Sequence, residues 1–202
     1  MAKLHFIYAT MGAGKSSLLI QTEWNYRERD MRCLLLTAAF DHRDGHRKIS
    51  SRIGLKVDAE TFEPGQSLME THLRKAADDG INCVLVDEAQ FLTRPQVEEL
   101  AVAVDDFNLP VMCYGLRTDF RGQLFEGSAA LLALADEFRE ARTICKCGRK
   151  ATMVYRTGAG GVAVFDGDQV EIGGNERYVP VCRKHWREAT RPARAGGGDK
   201  LA

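Results

Sequence analysis

The sequence predicts an α/β fold in which helices cover a mainly parallel sheet, followed by a small β-rich unit. Up to Arg142, continuous apolar runs typical of buried parallel strands alternate with segments whose apolar residues recur at helical spacing. Such alternation favours a three-layer α/β domain. After Arg142 the pattern changes to short β-like pieces joined by glycine-containing turns.

The first half of the predicted α/β domain contains two strands and one helix. Leu4 to Tyr8 is rich in aromatic and branched residues, and the apolar run 33–38 is typical of a strand covered on both faces. A helix is predicted from Ser17 to about Arg29. Residues 41–54 are polar, basic and interrupted by glycine, which fits either a solvated loop or a mobile loop near a phosphate ligand.

The second half continues the alternation. The predicted helices are 67–78, a helix opening at Arg94-Pro95, and 128–138, and the predicted strands are 83–88 and 110–115. In the β-rich unit we predict strand pieces at 151–156, 162–165 and 169–172. We therefore expect a nucleotide-binding domain over 1–141, a small domain over 142–190 and a disordered tail over 191–202.

The composition narrows the possible function. The chain has 202 residues, of which 45% are hydrophobic and 28% charged, and Lys+Arg and Asp+Glu number 28 each. A net charge of zero argues against a nucleic-acid polymer as the main partner, although it does not exclude a local basic patch. We find no apolar run of membrane-spanning length and no secretory signal, so we expect no membrane partner and a cytoplasmic location. The six cysteines are then thiols or metal ligands.

A phosphate-binding loop is predicted between the first strand and the first helix. Gly12 and Gly14 allow a tight turn that brings backbone N–H groups close to phosphates. Lys15 would reach the β- and γ-phosphates, and the Ser16 hydroxyl would bind Mg²⁺. Ala9 stands where the usual pattern has glycine, and the alternative is an ordinary glycine-containing turn from strand to helix. The strand, the two glycines, Gly-Lys-Ser and the helix together favour a nucleoside triphosphate site.

Two acidic residues end the predicted strand 83–88. Asp87 lies at the carboxyl edge of the sheet, where it would be the second Mg²⁺ anchor beside the phosphate loop. Glu88 could accept a proton from an attacking hydroxyl, or it could simply belong to a solvated acidic rim. We favour the catalytic base. The residues assigned to ATP binding are Ala9, Thr10, Met11, Gly12, Ala13, Gly14, Lys15, Ser16, Asp87, Glu88, Ala89 and Gln90.

Cys145, Cys147, Cys182 and His185 offer a complete tetrahedral set of zinc ligands. Four protein ligands indicate a structural Zn²⁺ without an open catalytic position. The two pairs flank the β-rich unit, although Cys-x-Cys is tighter than the usual Cys-x-x-Cys. The alternative is a set of independent buried thiols.

Taken together, these motifs resemble the cytosolic thymidine kinases of the zinc-containing type. The resemblance covers residues 4 to about 190 and is carried by TMGAGKSS, VDEAQF, CYGLRTDFRGQLFEGS and the zinc pairs around IGGNERYVPVC. It implies a P-loop domain of RecA-like topology and a zinc-binding β domain whose lasso loop closes over the nucleoside. It also implies transfer of phosphate from ATP to the 5′-hydroxyl of thymidine or deoxyuridine, a homotetramer, and inhibition by dTTP bound in the substrate site.

The resemblance also implies roles for individual residues. Glu88 matches the catalytic base. Phe125 and Tyr178 would lie against the base and deoxyribose, and Asp41 and Arg43 near the phosphate or sugar. Backbone groups between Val170 and Tyr178 would meet the pyrimidine edge. The full set of implied nucleoside contacts is Met11, Asp41, Arg43, Phe91, Leu116, Phe125, Val170, Ile172, Gly173 and Tyr178.

Two other functions fit parts of the sequence. Asp87-Glu88-Ala89-Gln90 also resembles the acidic motif of ATP-driven nucleic-acid motors, in which the glutamate activates water. Such motors normally have a second ATPase lobe, for which this chain is too short, and a basic surface for the nucleic acid. Residues 142–190 could instead be a zinc ribbon that binds protein or nucleic acid, with the ATPase as a switch. Phosphate transfer to thymidine would separate these functions.

Overall fold

The computed structural model describes residues 1–39, 47–170 and 177–196. The chain divides into two units. The first comprises Met1–Tyr8, Gly14–Leu116 and Phe125–Ala141, and the second Ala9–Ala13, Arg117–Leu124 and the chain from Arg142 onward. One boundary thus lies between Ala141 and Arg142. The segments Ala9–Ala13 and Arg117–Leu124 group with the second unit, which a single boundary along the sequence did not anticipate.

A six-stranded parallel sheet forms the centre of the first unit. Its strand order is β5-β2-β6-β7-β1-β8, with β1 Leu4–Ala9, β2 Cys33–Ala38, β5 Glu60–Phe62, β6 Cys83–Val86, β7 Val111–Leu116 and β8 Glu137–Glu140. The strands β3 (Lys48–Ser50) and β4 (Lys56–Asp58) make a separate antiparallel pair. All four residues of β6 are buried, which explains why this strand is a continuous apolar run.

Helices of the first unit pack on this sheet. They are α1 (Lys15–Arg27), a π-helical turn (Met69–Leu73) that continues into α2 (Arg74–Asp78), a 3-10 turn (Ala89–Phe91), α3 (Arg94–Phe107) and α4 (Glu126–Leu134). Thr93 and Gln96 form a capping box at the start of α3, with a proline in its first turn. Leu100 and Val104 of α3 join Val84 and Val86 in the main apolar core. The predicted α/β class is confirmed.

Three predicted elements of this unit need correction. The predicted helix 128–138 ends at Leu134, and Glu137–Glu140 is instead the edge strand β8, because it pairs with His5 to Tyr8 of β1. The predicted loop 41–54 contains strand β3 in its described part. The predicted helix 67–78 is helical from Leu68 to Asp78, but Met69–Leu73 is a π-helix rather than an α-helix. For β8, pairing with β1 overrides the local pattern.

In its described residues, the second unit contains five short strands, a 3-10 turn (Ala159–Gly161) and one longer helix. The strands and the longer helix are β9 (Thr143–Ile144), β10 (Lys150–Ala151), β11 (Met153–Thr157), β12 (Ala163–Val164), β13 (Tyr178–Val181) and α5 (Arg183–Gly196). The strands β12, β11 and β13 form one sheet, and β9 and β10 form a hairpin. A small core lies between this sheet and α5 and includes Val181, Cys182 and Trp186.

Two predictions for this unit were also wrong in part. Gln169 and Val170 lie outside any strand, and residues 171 and 172 lie outside the described part of the chain. Besides β12, the strand that pairs with β11 is β13, whose Pro180 weakened the sequence signal. The predicted disordered tail begins too early, because α5 continues to Gly196. Alanine and arginine, which favour helices, are frequent between residues 189 and 195. Residues 197–202 lie outside the described part of the chain.

In the described parts of the chain, we find no helix with the length and apolar character needed to cross a membrane.

Candidate active site and metal centre

The phosphate-loop segment connects β1 to α1 with two residues in the left-handed backbone region. Gly12 has φ 73° and Gly14 has φ 76°, a conformation that favours glycine. The Gly14 carbonyl accepts the first bond of the helix, from the Leu18 N–H at 3.0 Å. Lys15 is only 9% exposed, and its positive charge acts on Asp87. The segment therefore has the backbone that a phosphate loop requires, with a buried cation at the start of the helix.

Ser16 and Asp87 form the first pair of predicted ligands that the structure brings together. The Ser16 hydroxyl donates to Asp87 Oδ2 at 2.9 Å, and the Asp87 N–H donates to the Leu36 carbonyl at 2.8 Å. Burial, followed by the neighbouring charge of Glu88, raises the pKa of Asp87 to about 7, while Lys15 and Ser16 oppose the shift. Oδ1 of Asp87 is buried and accepts no hydrogen bond within the described residues. A hydroxyl and a carboxylate with a spare oxygen are suited to Mg²⁺.

Glu88 is held by a hydrogen bond from the following turn. Its backbone has φ 51°, an uncommon value for a residue other than glycine that occurs often at functional sites. The Gln90 amide donates to Glu88 Oε2 at 2.6 Å, and Gln90 Oε1 accepts from the Leu116 N–H at 2.9 Å. Gln90 is 2% exposed. This side chain therefore ties the Glu88 carboxylate to the end of β7.

Two glycines make room for this turn. A Cβ at Gly115 would lie 3.0 Å from both the backbone nitrogen and Oε1 of Gln90. A Cβ at Gly127 would lie 2.5 Å from the Ala89 carbonyl and 2.7 Å from that of Leu92. The backbone of β7 and the first turn of α4 can therefore approach the Ala89–Phe91 turn only because both residues are glycine.

The same unit holds three of the predicted nucleoside contacts. The rings of Phe91 and Phe125 pack edge to face with centroids 5.9 Å apart. Leu116 is fixed at both backbone atoms, since its carbonyl accepts from the Ser128 hydroxyl at 2.5 Å and its N–H donates to Gln90. Phe125 is 5% exposed, so its ring is mostly buried.

The remaining nucleoside predictions fall in the second unit or outside the described residues. Met11 and Tyr178 are half-buried, and Val170 is 37% exposed. Next to Met11, the Thr10 hydroxyl donates to the Met153 carbonyl at 3.2 Å. The predicted contacts that lie outside the described residues are Asp41, Arg43, Ile172 and Gly173.

The four predicted zinc ligands converge in the second unit. Their donor atoms all lie within 4.8 Å of one another. Nδ1 of His185 is 3.1 Å from Cys145 Sγ and 3.5 Å from Cys182 Sγ, and Cys147 Sγ is 3.9 Å from Cys182 Sγ. Ordinary Zn–S and Zn–N bonds place tetrahedral ligand atoms roughly 3.5–3.8 Å apart. The cluster therefore fits one zinc ion.

The local backbone explains how a Cys-x-Cys pair can bind. The Cys145 N–H donates to the Arg149 carbonyl at 2.7 Å, and the Gly148 N–H donates to the Cys145 carbonyl at 2.8 Å. These bonds close a tight turn in the β9–β10 hairpin, with Gly148 at φ 78°. The other pair lies where β13 passes into α5.

The surroundings of these ligands favour metal binding. Burial opposes ionisation of Cys145, yet the N–H groups of Cys147 and Cys182 and the ring of His185 lower its pKa to about 6. Nε2 of His185 lies 3.9 Å from the Glu188 carboxylate, on the side of the ring away from the thiols. A carboxylate behind a histidine ligand orients the ring and raises its basicity.

Comparison with known proteins now decides between the functions considered above. The family model described as "Thymidine kinase" matches residues 2–186. The chain belongs to the thymidine kinase family. It is 59% identical to the thymidine kinase of Jannaschia sp. (strain CCS1) over 189 residues, which cover 94% of this chain and 97% of the relative. It is 58% identical over 190 residues to that of Ruegeria pomeroyi, covering 94% and 96%. It is 53% identical over 193 residues to that of Yersinia pseudotuberculosis, covering 96% and 98%.

Membership of the thymidine kinase family confirms the resemblance seen in the sequence. It also removes the motor and zinc-ribbon interpretations as accounts of the whole chain, because the match includes both units. The sequence did not reveal how Gln90 links Glu88 to Leu116, nor the hydrogen bond from Ser128 to Leu116. The one available signal was Gly115 within a predicted strand, which indicates close approach of another backbone.

Proposed function

We propose that this thymidine kinase transfers the γ-phosphate of ATP to the 5′-hydroxyl of thymidine, and that it also accepts deoxyuridine. The observation that carries the proposal is the position of Glu88. Gln90 orients the Glu88 carboxylate by a hydrogen bond. Glu88 directly follows Asp87 in the chain, and Asp87 accepts a hydrogen bond from the hydroxyl of Ser16 in the Gly-Lys-Ser sequence. This arrangement supports a proton acceptor beside the residues that would hold the phosphates, which suits transfer to an alcohol.

In the proposed reaction, the 5′-oxygen of thymidine attacks the γ-phosphorus of ATP, and Glu88 accepts the proton of the 5′-hydroxyl. The bond between the γ-phosphorus and the oxygen that bridges to the β-phosphate breaks, and ADP leaves with the electron pair of that bond. The backbone N–H groups of residues 12–15 and the Lys15 ammonium would stabilise the negative charge of the phosphates. The products are dTMP and ADP.

Two metal ions fit the residues present. Ser16 Oγ and the buried Oδ1 of Asp87 would hold Mg²⁺, directly or through water, and the ion would neutralise charge on the β- and γ-phosphates. Cys145, Cys147, Cys182 and His185 would hold a structural Zn²⁺. With four protein ligands, the zinc has no open position for substrate, so its proposed role is to fix the hairpin against α5.

For the nucleoside, we propose aromatic and apolar contacts from Phe91, Leu116 and Phe125 in the first unit and from Met11 and Tyr178 in the second. Thymine offers a flat apolar face, and a slot of aromatic and aliphatic side chains suits it. The edge-to-face pair Phe91–Phe125 supports this assignment for the first unit. Backbone contacts from Val170 to the pyrimidine edge belong to the same proposal.

Regulation, assembly and compartment are proposed from family membership. We propose that dTTP inhibits by binding in the thymidine site and that the chain forms a homotetramer. Trp24 and Phe138 on the first unit are 48% and 49% exposed, and contacts between copies would cover such side chains. We propose a cytoplasmic location, which is consistent with six cysteines of which none forms a disulfide.

Product analysis tests the proposed reaction. Purified protein with ATP, Mg²⁺ and thymidine should form dTMP and ADP in equal amounts, and thymidine should be required for ADP formation. Deoxyuridine should replace thymidine. ADP formation without dTMP would reject the proposed transfer of phosphate to thymidine.

A further inference from the structure

Arg156 and Thr157, the last residues of β11, contact both flanks of the segment from Asp166 to Tyr178. On one flank, the Arg156 guanidinium donates to the carbonyls of Asp166 at 2.6 Å and Asp168 at 3.1 Å. On the other flank, the Thr157 hydroxyl donates to the Arg177 carbonyl at 3.0 Å, and Arg177 Nε donates to the Thr157 carbonyl at 2.9 Å. Two adjacent residues therefore fix where this segment leaves and rejoins the sheet.

The contact between Arg156 and the first flank depends on a glycine. Gly167 lies between the two acceptor carbonyls and has φ 105°. A Cβ at this position would lie 2.6 Å from Arg156 Nη2 and 3.7 Å from Cζ. The guanidinium thus packs directly on the Gly167 backbone, and a larger residue would separate it from the carbonyls on either side.

The other side of the guanidinium faces an aromatic ring. Arg156 Cζ lies 4.1 Å from the centroid of Phe120, and Arg156 is only 5% exposed. Stacking on a ring while donating two hydrogen bonds in one plane is a property of the flat guanidinium fork, which a lysine ammonium does not share. The geometry is therefore specific for arginine.

The segment held in this way carries nucleoside residues at both flanks. Val170 follows Asp168 by two residues, and Tyr178 pairs directly with Arg156 in the register of β11 and β13. We propose that Arg156 is a positioning residue for nucleoside binding, which sets the flanks that carry Val170 and Tyr178 without touching the substrate. This inference rests on the proposed thymidine kinase reaction.

Steady-state kinetics of two variants test the inference. Arg156→Lys keeps the charge but removes the fork, and Gly167→Ala leaves Arg156 intact but displaces its acceptors. Each should raise the KM for thymidine about tenfold, with kcat and the KM for ATP changing less than about threefold. Gly161→Ala is the matched control, because Gly161 lies in the same unit at φ 76° with nothing within 4 Å of its added Cβ. It should leave the KM for thymidine unchanged.

Two further measurements distinguish a positioning role of Arg156 from a general loss of stability in the second unit. Zinc content and the melting temperature are measured on all three variants. If the thymidine KM stays at the wild-type value in both Arg156→Lys and Gly167→Ala, or if it moves together with kcat and the ATP KM as zinc is lost, the inference is overturned. If Arg156→Lys loses zinc, the KM for thymidine of Gly167→Ala alone decides whether Arg156 has the proposed positioning role. A wild-type protein that forms no dTMP would instead reject the proposed function itself.

Discussion

Asp87 and Glu88 in the first unit and Cys145 and Cys182 in the second are fixed by different means. The two acids follow a fully buried strand of a parallel sheet and are oriented by hydrogen bonds from Ser16 and Gln90. Cys145 and Cys182 directly follow the short strands β9 and β13, where the core is small and the four predicted ligands converge. The first arrangement depends on packing, whereas we propose that a bound metal stabilises the second.

This difference leads to separate expectations for variants of the two units. Changes at the sheet edge should lower the rate of phosphate transfer while the fold persists. Changes at the metal cluster should first loosen the second unit and weaken thymidine binding.

The largest effect is expected for Lys15→Ala. It removes the buried cation that would contact the β- and γ-phosphates, so kcat/KM for ATP should fall by roughly a thousandfold. Thymidine-dependent ADP formation measures this effect. Lys75→Ala, which removes an exposed lysine on α2, is the control and should be near wild type. Unchanged activity of Lys15→Ala would mean that the loop does not bind the phosphates of ATP.

Loss of the metal cluster should have a smaller effect than Lys15→Ala and should act on thymidine binding and stability. Metal analysis should find about one Zn²⁺ per chain in the wild type. Cys182→Ser should lose most of this zinc, lower the melting temperature and raise the KM for thymidine at least about tenfold. Cys33→Ser, at a thiol outside the cluster, should keep its zinc. Wild-type protein that is purified without chelators and contains no metal would contradict the assignment.

A smaller effect is expected for Gln90→Leu. The substitution releases the Glu88 carboxylate and leaves the Leu116 N–H unpaired, so kcat should fall about tenfold and stability by about 1–3 kcal/mol. Gln96→Leu is a matched control, because Gln96 is equally buried in the first unit and donates to the carbonyls of Glu63 and Gln66. The free energy of unfolding of Gln96→Leu should fall by a similar amount, and its kcat should stay at the wild-type value. Equal kcat values for the two variants would show that Gln90 acts only through stability.

The sequence predicts most strands of the parallel sheet but not the edge strand β8. The strands β1, β2, β6 and β7 follow from continuous apolar runs, because a parallel strand buried on both faces tolerates few polar residues. Strand β8 could not be predicted from its residues, Glu-Phe-Arg-Glu. It is a strand because β1 offers a free edge, and such tertiary pairing leaves no local pattern.

The sequence predicts the chemistry of a candidate site where the pattern of residues has few known roles. A Gly-Lys-Ser loop and a set of three cysteines and one histidine indicate phosphate and zinc wherever they occur in the right setting. Gln90 and Arg156 could not be assigned positioning roles in this way. Each acts through backbone groups far along the chain, from Gln90 to Leu116 and from Arg156 to Asp166 and Asp168, and these contacts appear only in the folded structure.

The most direct test of the proposed catalysis compares Glu88→Gln with the wild type in a single turnover. Radioactive ATP is incubated with excess enzyme and thymidine, and dTMP formation is followed while ATP affinity is measured in the same preparations. Glu98→Gln, at an exposed residue of α3, is the control. We predict that Glu88→Gln forms dTMP at least about a hundredfold more slowly with ATP affinity within about threefold of the wild type. A near-normal rate in Glu88→Gln would remove Glu88 as the base and contradict this account.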